Sequence, residues 1–329
     1  MKKFLIFMML SMLVVGISGC ANEPKDNSEA LEPITIVLDW TPNTNHTGLY
    51  VALAKGYYEE AGLDVKIEEP PEDGAAMLTA SGKAQFGIDF QESLAAALTS
   101  EEPLPVTAVA AVIAHNTSGI LSLKSSDIQS FGDMQGKTYA AYQMPFEEAL
   151  LSQVIHDDGG DYSKVNIVPN AAYDVITAFQ SGIDAIWVYE GWEMMAAELA
   201  GLDYSYLSFR EADPVFDFYT PVIIANNDYL TEHPENSRRF IQATQKGYAF
   251  AIENPEEAAN ILVEAIPELD LELVKAGQIY LADLYQAESS VWGYIDETRW
   301  ENFYQWMFEQ ELIDKPLGKQ GFTNEYVMP

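Results

Sequence analysis

Ile34-Thr35-Ile36-Val37-Leu38 runs into Asp39-Trp40-Thr41-Pro42-Asn43-Thr44-Asn45-His46-Thr47-Gly48, and this join decides the fold. The first five residues are β-branched or aliphatic, the composition of a strand. Thr-Pro-Asn is turn chemistry, and 49–55, closed by Gly56, has the composition of a short helix. A strand ending in Asp-Trp before such a turn leaves a large aromatic at its carboxyl end, where open α/β sheets bind ligands. The Trp40 indole offers a flat face for stacking a planar ring, with Asn43, Asn45 and His46 beside it as hydrogen-bonding groups. The same residues also read as a core aromatic flanked by turn formers.

Toward the N-terminus, residues 1–19 read as a secretory leader: Lys2 and Lys3, then an apolar run over 4–15. Ile17-Ser18-Gly19-Cys20 resembles a bacterial lipobox, which implies lipidation at Cys20 and a polar tether over 20–32. Cys20 is the only cysteine, so no intramolecular disulfide, cysteine metal cluster or cysteine nucleophile is available to the mature chain. Seventeen basic residues face 51 acidic ones, a formal charge of −34 that repels nucleic acid and anionic lipid headgroups. Aromatic content of 12% belongs to a packed protein rather than a disordered one. A chain of this length is expected to divide into two domains.

Toward the C-terminus, strand and helix patterns alternate. Strands are expected at 64–68, 86–90, 106–113, 138–142, 165–168, 183–189 and 220–225, with helices at 75–80, from 94, from 147 and at 174–180, and a second region starting near 119–123. The alternation predicts parallel sheets in two α/β lobes. A weak echo supports this: helix, Ser81-Gly82, strand and Asp89 recur as helix, Ser181-Gly182, strand and Glu190. Beyond Pro234 four helices follow, at 236–252, 255–266, 271–282 and 298–312. Trp300, Tyr304 and Phe308 are spaced for one buried face of the last.

Four segments together carry a family resemblance: Asp39-Trp40-Thr41-Pro42-Asn43, Leu53-Ala54-Lys55-Gly56-Tyr57-Tyr58, Ala61-Gly62-Leu63-Asp64-Val65, and Ser81-Gly82-Lys83 with Gly87. From Ile34 to about Leu317 the chain resembles the solute-binding proteins of ABC transporters, in the branch that takes thiamine pyrimidine precursors. The Lys-Gly-Tyr-Tyr and Ser-Gly patterns are shared with nitrate, sulfonate and taurine binders; Trp40-Thr41-Pro42-Asn43 and Tyr189-Glu190 narrow the match.

The resemblance implies an α/β, two-lobed type II periplasmic-binding-protein fold with the ligand cleft between the lobes. It places 33–117 and 221–329 in lobe one and 118–220 in lobe two, with crossings near 117–121 and 219–222. It implies a receptor without catalysis or cofactor, anchored outside the cell membrane by lipid. Its ligand would be an aminopyrimidine such as N-formyl-4-amino-5-aminomethyl-2-methylpyrimidine, delivered to an ABC permease and its ATPase. Thiamine or riboflavin is an alternative ligand. A different class is raised by the eukaryotic pyrimidine synthases, enzymes that resemble this chain at Trp40, Pro42, His46 and Glu190. Where they carry a cofactor-bearing lysine this chain has Asp89, and where they carry a histidine it has Ser93; their cysteine run has no counterpart near 216–220. Aspartate cannot form a Schiff base.

The expected strand-end loops hold Asp39, Trp40, Asn45, His46, Asp89, Gln91, Glu92, Tyr142, Gln143, Tyr189 and Glu190. None of Arg210, Arg238, Arg239 and Arg299 falls on one, so a bidentate oxyanion clamp is unsupported. Aromatics with carboxylates and amides suit a flat, nitrogen-rich ring. Trp40 and Tyr189 are expected to stack on it, and Glu190 to read its amino edge. Asn45 and His115 would meet the substituent, with His46, Glu92, Gln143 and Tyr219 completing the site. The four histidines lack metal-ligand spacing, and no Gly-rich phosphate loop or Gly-x-Ser-x-Gly elbow occurs.

Overall fold

The computed structural model describes residues 30–169 and 174–328. The leader, Cys20 and the tether up to residue 29 lie outside the described residues. No helix among the described residues is long and apolar enough to cross a membrane.

Two five-stranded sheets organise the chain. The first contains β1 (Glu32–Val37), β2 (Leu63–Glu68), β3 (Phe86–Asp89), β4 (Val106–Ala111) and β10 (Val222–Asn226), in the order β2-β1-β3-β10-β4. The second contains β5 (Ser118–Leu123), β6 (Thr138–Ala141), β7 (Asn166–Pro169), β8 (Ala185–Tyr189) and β9 (Tyr204–Ser208), in the order β7-β6-β8-β5-β9. Burial follows position. Central β10 is buried at every residue, whereas edge strand β2 buries Leu63 and Val65 and exposes Asp64 and Lys66.

The sheets are mixed, which corrects the expectation of parallel ones. β1 pairs in parallel with β2 and β3, and β6 with β7 and β8. β10 runs antiparallel to β3 and β4, and β5 antiparallel to β8 and β9. The physical reason is the double crossing. The chain passes from β4 to β5 through 112–117 and returns from β9 to β10 through 209–221. A strand that follows a crossing starts at the sheet end where its parallel neighbours finish, so it must run against them. The carboxyl ends of the parallel strands therefore face one another across a cleft, with both connectors on its floor.

The helices that shape the cleft are α1 (Thr47–Ala54), α2 (Gln91–Thr99), α3 (Pro234–Glu253), α4 (Pro255–Ala265), α5 (Leu271–Ala282) and α6 (Glu297–Glu309). α1 is clamped against α3 because both contact positions are glycine. A Cβ on Gly247 would stand 2.0 Å from the Gly48 carbonyl oxygen, and one on Gly48 would stand 2.3 Å from the Tyr248 ring. That close approach fixes the turn preceding α1 relative to the first core, where Phe86 stacks on Phe240 at 4.1 Å and Tyr248 on Trp292 at 4.1 Å.

α6 joins the other core, in which Phe303 and Trp306 pack edge-on against Phe146 at 5.8 and 6.0 Å. Each such side chain contributes about 1.5–3 kcal/mol of burial. Trp300 and Tyr304 are fully buried, but Phe308 is 37% exposed, a correction to the expected single face. At 3.6 residues per turn, the step from Trp300 to Phe308 rotates about 80° beyond two full turns. Met307 takes the inward place.

Candidate functional site

At the end of β1 the chain makes the turn that presents Trp40. Asn43 caps it, accepting from the Asn45 amide at 2.9 Å, while His46 Nδ1 accepts from the Asn43 amide at 3.1 Å. His46 Nε2 donates to Asp39 Oδ1 at 2.6 Å. The imidazole is fully buried and both ring nitrogens are engaged within the turn, so His46 braces the loop and offers no free group to a ligand. The brace leaves the Trp40 ring 59% exposed at the cleft end of the strand. The Asn45 carbonyl oxygen accepts from Tyr248 at 2.6 Å, tying the same loop to α3.

β3 ends beside β1, and its Asp89 is close enough to Asp39 for the two carboxylates to repel. Burial raises Asp89 above the usual carboxylate range, countered by donors from Ser93 Oγ and the Phe90 amide. Glu92, in the first turn of α2, is pushed up to about 8, by burial first and then by Asp89. Its Oε2 is buried and has no hydrogen-bond partner among the described residues. Gln91 is fully buried; its Oε1 accepts from the Tyr219 amide at 2.7 Å, and its backbone carbonyl accepts from Tyr304 at 2.9 Å.

The second lobe supplies the facing wall. Burial lifts the Tyr189 phenol well above its ordinary range, and the charge of Glu92 in the first lobe adds to the shift. The Tyr189 amide donates to Glu193 Oε2 at 2.9 Å. Glu190 opens a π-helical turn, Glu190–Met194, and is 3% exposed. Its Oε2 accepts from Tyr280 of α5 at 2.8 Å and lies 3.7 Å from Arg210 Nη2. Tyr142 and Gln143 are exposed beyond β6. Gln143 has a φ of 63°, the left-handed region that non-glycine residues adopt mostly at functional or turn positions.

The Gly191 carbonyl of the second lobe is in close contact with the first. Thr44 Oγ1 donates to the Gly191 carbonyl at 3.2 Å, and a Cβ on Gly277 of α5 would stand 2.2 Å from that same oxygen.

His115 and Tyr219 belong to a network that binds the two connectors to α6. His115 Nδ1 lies 2.6 Å from Asp217 Oδ2, and Nε2 lies 2.8 Å from Glu288. Arg299 donates to Asp217 at 2.6 Å, to the Ala114 carbonyl at 2.6 Å and to the Tyr219 hydroxyl at 3.1 Å. Its guanidinium also covers the Tyr219 ring at 4.2 Å. The Asp217 hydrogen bond, with help from Glu288, holds His115 above its ordinary range against burial and the nearby Arg299. A pocket of about 370 Å³ beside this network is lined by His115, Arg210, Glu211, Pro214 and Asp217.

Arg210 requires a correction. It follows β9, and β9 ends beside the start of β5, so this arginine does lie at the cleft end of a sheet. Tyr204-Ser205-Tyr206-Leu207-Ser208 is a strand outside the expected set, and its Tyr-Ser-Tyr start is the large–small alternation that marks one. The Arg210 guanidinium has an acid beside it, Glu190, at 3.7 Å. Tyr206 and Tyr280 also went unrecognised; burial and Glu190 raise both phenols.

Two lobes, two crossings and a cleft at the strand ends define the fold of extracytoplasmic solute-binding proteins. The alkanesulfonate-binding protein SsuA from Xanthomonas axonopodis pv. citri, solved bound to MOPS, superposes with a TM-score of 0.66 at 13% identity, over 90% of this chain and 99% of that one. The chain belongs to the NMT1/THI5-like family, whose model matches residues 43–258. It is 30% identical to the formylaminopyrimidine-binding protein of Halalkalibacterium halodurans, covering 96% of this chain and 97% of that protein. It is 28% identical to the 4-amino-5-hydroxymethyl-2-methylpyrimidine phosphate synthase THI11 of Saccharomyces cerevisiae, over 74% of each.

Proposed function

We propose that the protein is an exported, lipid-anchored receptor that captures a thiamine-precursor aminopyrimidine and delivers it to an ABC permease driven by a cytoplasmic ATPase. The ligand is N-formyl-4-amino-5-aminomethyl-2-methylpyrimidine or a near relative. The observation that carries this reading is the composition of the cleft walls: an exposed indole at Trp40, a tyrosine at 189, and acids from both lobes at Asp89, Glu92 and Glu190. Aromatic faces suit a flat ring, and acidic oxygens suit its amine and nitrogens. Trp40 and Tyr189 stack on the ring, Glu190 reads its amino edge, and Asn45 and Gln143 face the substituent.

A binding role is favoured over a synthase by the pair at 89 and 93. Where the resembling enzymes have lysine and histidine, Asp89 and Ser93 hydrogen-bond to each other. Neither side chain can carry an aldehyde cofactor through a Schiff base.

Purified protein titrated with the formylated pyrimidine is expected to show saturable quenching of tryptophan fluorescence and to return the pyrimidine unchanged. A new product on prolonged incubation would assign the chain to the synthases instead.

A further inference from the structure

This inference rests on the receptor reading and concerns one atom of its cleft. Glu92 Oε2 is buried and has no partner among the described residues. A buried carboxylate in that position would forfeit its solvation with nothing in exchange, a state proteins avoid by holding the proton instead. The groups around it point the same way. Asp89 lies near enough to repel a charge on Glu92, and Asp39 stands behind Asp89. The Tyr189 phenol of the second lobe and the Tyr304 phenol of α6 both feel the Glu92 charge, and both are raised and unionised. The one countering donor is the backbone amide of Glu92 itself.

We propose that Glu92 is a specificity residue that acts as a neutral carboxylic acid, donating its O–H to a ring nitrogen of the bound heteroaromatic. The ligand class it selects is an uncharged ring with an unprotonated acceptor nitrogen turned toward α2. Glu190, already holding Tyr280, is the complementary acceptor for the exocyclic amine. The two acids therefore read opposite hydrogen-bonding characters on one ring.

A proton consequence follows. With the cleft closed, the carboxyl titrates at about 8. With the lobes apart, water entering the cleft resolvates the carboxyl and draws it back toward the ordinary glutamate range. Between those two values, closure on the ligand takes up a proton. The sign is that of a raised acid: the interaction is present below the closed-state value and is lost as pH rises through it.

Calorimetry of the full mature protein with N-formyl-4-amino-5-aminomethyl-2-methylpyrimidine, at pH 7 in buffers of different ionisation enthalpy, tests this. Wild type is expected to take up close to one proton per ligand and to lose roughly tenfold in affinity per pH unit above 8. Glu92→Gln, which keeps a neutral donor of the same shape, is expected to bind within about fivefold of wild type and to show neither effect. Glu92→Leu, which has no donor, is expected to lose at least tenfold. Binding without proton uptake, or uptake that persists in Glu92→Gln, overturns the role of Glu92 and leaves the receptor reading standing. No binding of the pyrimidine by wild type overturns the receptor reading and this contact together.

Discussion

Gly277→Ala is expected to lower ligand affinity by more than tenfold while the protein stays folded. A Cβ there would meet the Gly191 carbonyl oxygen at 2.2 Å and Thr44 Cγ2 at 3.1 Å. The oxygen is backbone, so no side chain can swing aside. α5 packs on α4 and α3 on one side and on the 190–194 turn of the second lobe, which holds Gly191, on the other. Moving the lobes apart relieves the clash more cheaply than unfolding either one. Alanine also favours an α-helix over glycine by about 1 kcal/mol, which supports the open protein's stability. The check is a ligand titration paired with small-angle scattering of the saturated protein. The expected result is weakened binding with a larger radius of gyration than saturated wild type. Unchanged affinity would mean that ligand capture does not require this contact.

Glu190→Ala is expected to cost still more, about a hundredfold in affinity, which corresponds to roughly 2.7 kcal/mol. The variant removes the acceptor for Tyr280 at 2.8 Å and strips Arg210 of its acid neighbour at 3.7 Å, in a place where Glu190 is 3% exposed. Removing one partner of a buried charged contact generally costs 2–5 kcal/mol, because the other is left uncompensated. Glu190→Gln keeps an oxygen for Tyr280 and loses only the charge, so its expected loss is at least tenfold. The pair separates two roles. If Glu190 served closure alone, the glutamine variant would bind like wild type. A graded loss across the two variants shows that binding needs the charge itself and not only an oxygen for Tyr280. Isothermal titration of both, with Tm recorded alongside, decides between them.

Much of the fold could be read from the sequence because local chemistry and tertiary structure agree there. The Thr-Pro-Asn turn, the glycines after the helices and the four C-terminal helices are set by residues close in sequence. Strand direction was not readable. Whether β10 runs with or against β3 depends on which end of the sheet the chain re-enters, and no residue within Val222–Asn226 encodes that.

The site divides in the same way. The strand-end positions of Trp40, Glu92, Tyr189 and Glu190 follow from periodicity alone. Their states do not. His46 is committed to Asp39, seven residues back, only because the turn folds over. His115 and Tyr219 are drawn into the connector network by Arg299, about 80 residues beyond Tyr219 and more than twice as far from His115. Glu92 acts electrostatically on Tyr189 and Tyr304, side chains brought near it from distant segments.

Competition calorimetry on ligand-free protein separates a cleft built for a nitrogen-bearing ring from one built for an oxyanion. The formylated aminopyrimidine is expected to bind one per chain, with a dissociation constant on the order of micromolar or tighter. Methanesulfonate and nitrate, offered at millimolar concentration, are expected neither to bind nor to displace it. Saturable binding of either anion, with no heat from the pyrimidine, would contradict the account.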